Sequence, residues 1–144
     1  MSKILLSIKP EYVKRILNGE KGFEYRKRIA SKHVDVIVIY STHPVMKIVG
    51  EVNVKGILMN SPTALWENTK KRAGISREKY RQYFQGNKKA FAYELGEVTE
   101  YKTYYNLNEI GIYQAPQSFV YLTEKQYEQL NDNSNKSGSV ILNK

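Results

Sequence analysis

The sequence predicts an α+β domain, a small and mostly antiparallel β-barrel flanked by helices. Two observations carry this. Apolar runs of strand length are interspersed with amphipathic segments of helix length along most of the chain. The 144 residues suffice for one domain with a sizeable core, and no internal repeat or composition shift divides them before residue 131.

The elements follow in order. Lys3–Ile8 (KILLSI) is short and apolar and reads as a buried first strand. Pro10 opens a helix where its missing N–H costs nothing. Tyr12, Val13, Ile16 and Leu17 give that helix one apolar face, and Gly19 stops it after about Asn18. Phe23–Arg26 (FEYR) alternates as a short strand or extended loop. Val34–Tyr40 (VDVIVIY) is β-branched nearly throughout, as a central strand requires. His43-Pro44 marks a turn. Lys47–Leu58 alternates around two glycines, which predicts a long bent strand with a bulge near Gly50 or Gly56. Ser61-Pro62 starts a second helix that runs to about Arg72 and ends at Gly74. Ser76 caps a third through about Gln85, which Gly86 stops. Lys89–Glu97 alternates as a strand, continued by Val98–Thr103. Asn106–Gly111 reads as a helical turn and Ser118–Leu122 as a last strand. Thr123 and Gln126 form a capping box for a helix through about Leu130. The domain is thus expected over 1–130. Asn131–Lys144, polar and rich in Gly, Ser and Asn, is expected to be a disordered tail.

Composition narrows the chemistry. The chain has no cysteine, which excludes a disulfide scaffold, a zinc knuckle, iron–sulfur ligation and a cysteine nucleophile. Its two histidines, His33 and His43, make no His-rich metal site, and no metal or other cofactor is expected. No apolar run approaches the ~20 residues of a membrane span. The opening MSKILLSIKP is too short and too charged for a signal peptide. The expected setting is therefore cytoplasmic, with no membrane partner. Lys and Arg total 23 against 14 Asp and Glu, a net charge of +9. Such an excess points to an anionic polymer, nucleic acid first. The alternatives are an acidic protein partner or a charge that serves solubility alone. Nothing in the sequence sets an oligomeric state.

Two stretches concentrate polar chemistry. The first is Gly19–Arg28, GEKGFEYRKR. If Phe23–Arg26 is extended, Glu24 and Arg26 share one face and Phe23 and Tyr25 the other. The guanidinium can grip a phosphate or a base edge, the carboxylate can accept from an exocyclic amine, and Lys21 adds a point charge. The plain alternative is a surface ion pair worth little. The second stretch is 68–89. It holds Lys70, Lys71, Arg72, Arg77, Lys79, Arg81, Lys88 and Lys89 against Glu78 alone. Tyr80, Tyr83 and Phe84 interleave with these charges. Their i, i+3, i+4 spacing favours packing on the sheet, leaving the cations as a solvated face open to phosphates. Tyr25 and Tyr40 are the rings expected to stack a base. Trp66, beside Leu65, is expected in the core.

The segment GEKGFEYR resembles the G-x-K-x-x-E-x-R signature of ASCH domains, a branch of the PUA-like superfamily. The likeness extends from ILLSIKPEYVKRILNG through IYST, KIVGEV and ISREKYRQYFQG to APQSFVYL, nearly the whole chain to about Leu130. It implies a PUA-like pseudo-barrel with a cleft near the motif, and nucleic-acid binding, usually assigned to RNA. By position, Gly19, Lys21, Glu24 and Arg26 match the signature. Tyr40 and Ser41 end a strand expected to line the cleft, and Gln117 and Ser118 begin another. Lys9, Tyr25 and Arg28 complete the expected binding set. One enzymatic branch, the bacterial acetylcytidine amidohydrolases, uses a Lys, a Thr nucleophile and a Glu around this cleft. Lys21 matches the Lys, but Glu24 stands where the Thr would be and cannot be a hydroxyl nucleophile. Other ASCH proteins resemble ribonucleases. Cleaving RNA needs a base for the 2′-OH and a cation for the phosphate, which Lys21, Glu24 and Arg26 could supply as catalytic residues. Binding asks less of the same residues and is the favoured reading. The expected function is an RNA-binding or single-stranded nucleic-acid-binding domain, with an enzyme acting on RNA or modified nucleosides as the alternative.

Overall fold

The computed structural model describes residues 2–30 and 33–130, with the backbone of 136–140. β1 (Lys3–Ile8) runs directly into α1 (Pro10–Leu17), with Pro10 in the first turn. β2 (Phe23–Arg26), β3 (Val36–Ser41) and β4 (Lys47–Asn60) follow. A helical insert comes next: α2 (Pro62–Thr69), a 3-10 turn over Lys70–Arg72, and α3 (Arg77–Phe84). β5 (Ala90–Tyr105) is the longest strand described, at 16 residues. A 3-10 turn at Leu107–Ile110, β6 (Phe119–Tyr121), α4 (Glu124–Leu130) and β7 (Lys136–Val140) complete the order.

The helix starts are fixed locally. Ser61 Oγ accepts from the Ala64 N–H at 3.3 Å, and Ser76 Oγ from the Lys79 N–H at 3.2 Å. Thr123 and Gln126 exchange the two bonds of a capping box, at 2.9 and 3.1 Å. Each satisfies a donor that the first helical turn leaves open.

The strands lie in the order β2-β5-β4-β3-β1-β6, with β7 added to β5. β1 and β3 pair in parallel, and the remaining pairs are antiparallel. Among the described residues no pairing joins β2 to β6, so the α+β fold is built on a curled half-barrel with helices beside it. The curl comes from the β4/β5 ribbon. Its register shifts between Ile48 and Gly50, Val52 and Val54, and Val54 and Gly56. Each irregularity raises the local twist and bends the strand. The bulge expected at Gly50 or Gly56 thus occurs at both.

β2 covers β5 only over Phe91–Glu94, so β5 keeps an open edge further along. β7 takes it, pairing Val98 with Val140, Thr99 with Ser139 and Tyr101 with Lys136. These five residues fall in the segment expected as a tail; backbone pairing needs no apolar side chain, so a polar composition does not mark such a strand. The rest of that expected tail, 131–135 and 141–144, lies outside the described residues.

Three apolar clusters hold the fold. Val13 and Ile16 of α1 pack on Ile4, Leu6, Ile37 and Ile39 on one face of the sheet. Leu5, Val38, Tyr40 and Tyr101 meet Leu130 of α4 in a second cluster. The third is aromatic: Tyr25, Tyr80 and Phe84 with Leu65. A buried carboxylate pins α4: Glu51 accepts from the Tyr101 hydroxyl at 2.7 Å and the Tyr127 hydroxyl at 2.8 Å.

Gly50 sits where β4 and β5 approach most closely. A methyl group there would lie 2.4 Å from the Thr99 carbonyl oxygen. Gly50→Ala is expected to cost about 1–3 kcal/mol, the usual range for overpacking. Urea unfolding at constant m-value measures it, and an unchanged midpoint would show that the ribbon gives way freely.

Candidate nucleic-acid interface

β2 presents Glu24 and Arg26 on one face, as strand alternation requires, and the two side chains meet there. Arg26 donates to Glu24 Oε2 from Nε at 3.1 Å and from Nη2 at 2.8 Å. The same Nη2 donates to the Ser7 carbonyl at 2.8 Å. β2 ends the sheet order at one margin, and Ser7 lies on β1, next to the other end. The guanidinium therefore ties together two margins that no strand pairing joins. The pair is not the exposed one weighed from the sequence, since the Arg26 and Glu24 side chains are only 15% and 8% exposed.

Lys21 is buried deeper still, at 2% exposure. The loop around it is held by backbone bonds: Lys21 N–H to the Arg15 carbonyl, Gly22 N–H to the Arg72 carbonyl, and Leu95 N–H to the Gly22 carbonyl. Its Nζ donates to the Ala73 carbonyl at 2.8 Å and lies 5.1 and 4.8 Å from the ring centres of Tyr12 and Tyr25. Burial pushes the Lys21 ammonium down to about 8; the Glu24 carboxylate pulls it back up, and Arg15 and Arg26 add to the lowering. Gly74 backs this arrangement at φ 63°, a conformation other residues rarely adopt. A methyl there would lie 2.4 Å from Lys21 Cβ.

These groups open onto a cavity of about 670 Å³. Lys9, Lys21, Glu24, Tyr25, Arg26 and Gln117 of the expected set line it. The remainder do not. Tyr25 shows little of its ring: it is 6% exposed, stands edge-on to Tyr80 and Phe84, and shares a hydrogen bond with Thr69 at 2.7 Å. Burial raises its hydroxyl to about 12. Tyr40, 3% exposed, points to the opposite cluster with Leu5 and Tyr101. Neither ring is placed to stack a base. Ser41 is buried, and its neighbour Thr42 lines the cavity instead. Ser118 gives its carbonyl to the Ser7 N–H and stays outside the lining. Gly19 follows the C-terminus of α1 at φ 87° and shapes the loop without touching the cavity. Arg28 is exposed beyond β2 and away from it.

Of the basic insert, only Lys79 lines this cavity. It pairs with Glu11 of α1 at 3.4 Å. Lys70, Lys71, Arg77, Arg81, Lys88 and Lys89 are exposed elsewhere on the insert, Lys70 pairing with Glu67 at 2.8 Å. Arg72 is partly buried against Gly22. Ser7, Tyr12, Gln82 and Tyr83, all outside the expected binding set, also line the cavity. Ser7 had a signal, as the one hydroxyl in an apolar strand. Tyr83 had another, four residues beyond Lys79 on the same helix face. Its ring is 37% exposed, with Lys27 Nζ 4.9 Å from the ring centre.

Lys21 supplies a test of this geometry. Its ammonium titrates near 8 when folded and near 10.5 otherwise. Below about 8 both states are protonated and the burial penalty is present in full. It is relieved as pH rises from about 8 to 10.5, because there the unfolded chain binds more protons. The stability of Lys21→Met relative to the parent is therefore expected to fall by roughly 3 kcal/mol across that window. Urea midpoints at the two pH values measure it; a flat difference would place Lys21 in water.

An ASCH domain family model matches residues 6–131. An ASCH domain-containing ribonuclease from Zymomonas mobilis is 30% identical over 131 residues, covering 88% of each chain. The crystal structure of an ASCH protein from Zymomonas mobilis superposes with a TM-score of 0.84 at 30% identity, covering 94% of this chain and 96% of that one. The N-terminal domain of Staphylothermus marinus McrB shares the fold, with a TM-score of 0.58 at 15% identity, over 88% of this chain and 91% of that one. The matched span, the half-barrel and the superposition agree, and this chain belongs to the ASCH domain family.

Proposed function

We propose that this chain is an RNA-binding protein of PUA-like fold, and that its ligand is single-stranded RNA held in the 670 Å³ cavity. The observation that carries this is the convergence of Lys9, Lys79 and Arg26 on one cavity, with Tyr83 at its wall. Arg26 commits Nε and Nη2 to Glu24 and Ser7, and it lines the cavity, so its remaining nitrogen is the donor assigned to the ligand. Lys9 and Lys79 take phosphates at the rim, and the exposed face of Tyr83 stacks a base, the role that buried Tyr25 and Tyr40 cannot fill. Glu24 orients Arg26. The exposed cations of the insert steer the polymer toward the opening.

A second reading is cleavage, and Lys21 favours it. An amine near 8 is a usable base at neutral pH. Neutral Lys21 takes the 2′-OH proton, and the 2′-oxygen attacks phosphorus to form a 2′,3′-cyclic phosphate. The 5′-oxygen leaves with the proton of Tyr12, whose hydroxyl burial keeps protonated. Arg26 stabilises the charge on the phosphoryl oxygens. The relative named a ribonuclease supports this reading for the present chain.

Two outcomes are expected with labelled single-stranded RNA. If Lys9, Arg26 and Lys79 each neutralise one phosphate, log affinity falls with log salt at a slope of about −2, and Arg26→Ala loses more affinity than Lys88→Ala. Salt-independent binding, or equal losses, would count against the binding site. If the chain cleaves, the rate rises with pH to a plateau above about 8, and Lys21→Arg binds without cleaving, because its side chain stays charged. Cleavage that survives Lys21→Arg would remove Lys21 from the chemistry.

A further inference from the structure

α3 separates two cavities. Lys79, Gln82 and Tyr83 face the one already described. Arg77, Tyr80, Arg81 and Phe84 face another, of about 350 Å³, closed on its far side by Trp66 of α2. The i, i+3, i+4 spacing assigns these residues to opposite flanks of one helix, whose width is about 10 Å. The second cavity lies within the roughly 300–1,000 Å³ range of small-ligand sites.

Its construction is that of a nucleotide subsite. Trp66 is only partly buried. Its ring packs on Tyr80, with ring centres 4.8 Å apart and planes tilted by 46°, and Tyr80 is anchored by a bond to the Pro62 carbonyl at 2.7 Å. The indole is thus held in place by an anchored neighbour while it lines the cavity. Arg77 and Arg81, one helical turn apart and both exposed, flank it with two guanidinium groups. Glu67 is the carboxylate in this lining, and Lys70 neutralises it at 2.8 Å. An aromatic platform between paired cations is how a protein holds a base and its phosphates without reading sequence.

We infer that single-stranded RNA bound in the first cavity continues over α3 and stacks a second base on Trp66, its phosphates held by Arg77 and Arg81. This rests on the RNA-binding reading above. It makes α3 the ridge that the strand crosses, and it gives the insert's arginines a located task beyond steering.

Trp66 is the chain's single tryptophan, so its emission reports this subsite alone. The experiment titrates the full chain with end-labelled single-stranded RNA of about twelve nucleotides, reading RNA anisotropy and Trp66 emission together. A dinucleotide is titrated in parallel. The longer RNA is expected to quench Trp66 at the concentration where anisotropy rises, and the dinucleotide, held in the first cavity, to leave emission unchanged. Trp66→Ala is expected to weaken the longer RNA roughly five- to 150-fold, the worth of one stacked base, and to leave dinucleotide affinity alone. Trp66→Phe, which keeps the packing on Tyr80, should restore most of the loss. If Trp66→Ala does not fold, the surface double variant Arg77→Gln/Arg81→Gln serves instead and should abolish the quench. RNA that binds without quenching Trp66 and without loss in these variants overturns the subsite and leaves the first cavity standing. RNA that fails to bind at all overturns both.

Discussion

The site depends on one carboxylate shared with two buried cations. Glu24 faces Arg26 directly and offsets the charge of Lys21, and all three line the same cavity. Taking such charges out of water costs several kcal/mol for each ion unless partners replace the solvent. The partners are here: the Ser7 carbonyl for Arg26, the Ala73 carbonyl for Lys21, and the guanidinium for Glu24. These partners come from three separate parts of the chain. β1, β2 and the end of the helical insert must therefore all be in place before the charges are satisfied. The same contacts that assemble the site hold the half-barrel's margins together.

That arrangement explains the division of labour among the cations. Lys21 and Arg26 cost energy to bury and face the cavity, where a dry surrounding strengthens their pull on an anion. Lys70, Lys71, Arg77, Arg81, Lys88 and Lys89 are exposed, cost little, and act at a distance that salt screens. The net charge of +9 is thus two populations with different physics. Within the buried one, Lys21 has a lowered proton affinity, the property that lets a site move a proton as well as attract phosphate.

The aromatic residues divide in the same way. Tyr25, Tyr80 and Phe84 form a stack of edge-to-face contacts that carries α3 on the sheet. Tyr83 and Trp66 sit at the borders of that stack, each packed on one of its rings and each lining a cavity, on opposite flanks of the helix. A ring already held by its neighbours has lost freedom before a ligand arrives, so stacking costs less entropy.

Local chemistry made much of the chain legible. Ser61, Ser76 and the Thr123/Gln126 pair announce helix starts because a cap is a contact within four residues. The β-branched run of β3 and the glycines of β4 announce a central strand and its bends for similar reasons. The motif was also legible: alternation alone puts Glu24 beside Arg26. What alternation does not set is which face of a strand meets solvent, a cavity or a core. Tyr40 shows this, since it lies two residues before cavity-lining Thr42 yet packs with Leu5 and Tyr101 in another cluster. Tyr25 shows it too, buried by helices that arrive from fifty residues away. β7 is placed by backbone pairing with β5, and its sequence, KSGSV, carries no strand alternation. The sequence by itself determined the elements and the residues of the motif, because those follow from neighbours along the chain. Only the tertiary structure decided the burial of Lys21, the closure by Arg26 and the two flanks of α3, because burial is set by what the rest of the chain brings against a residue.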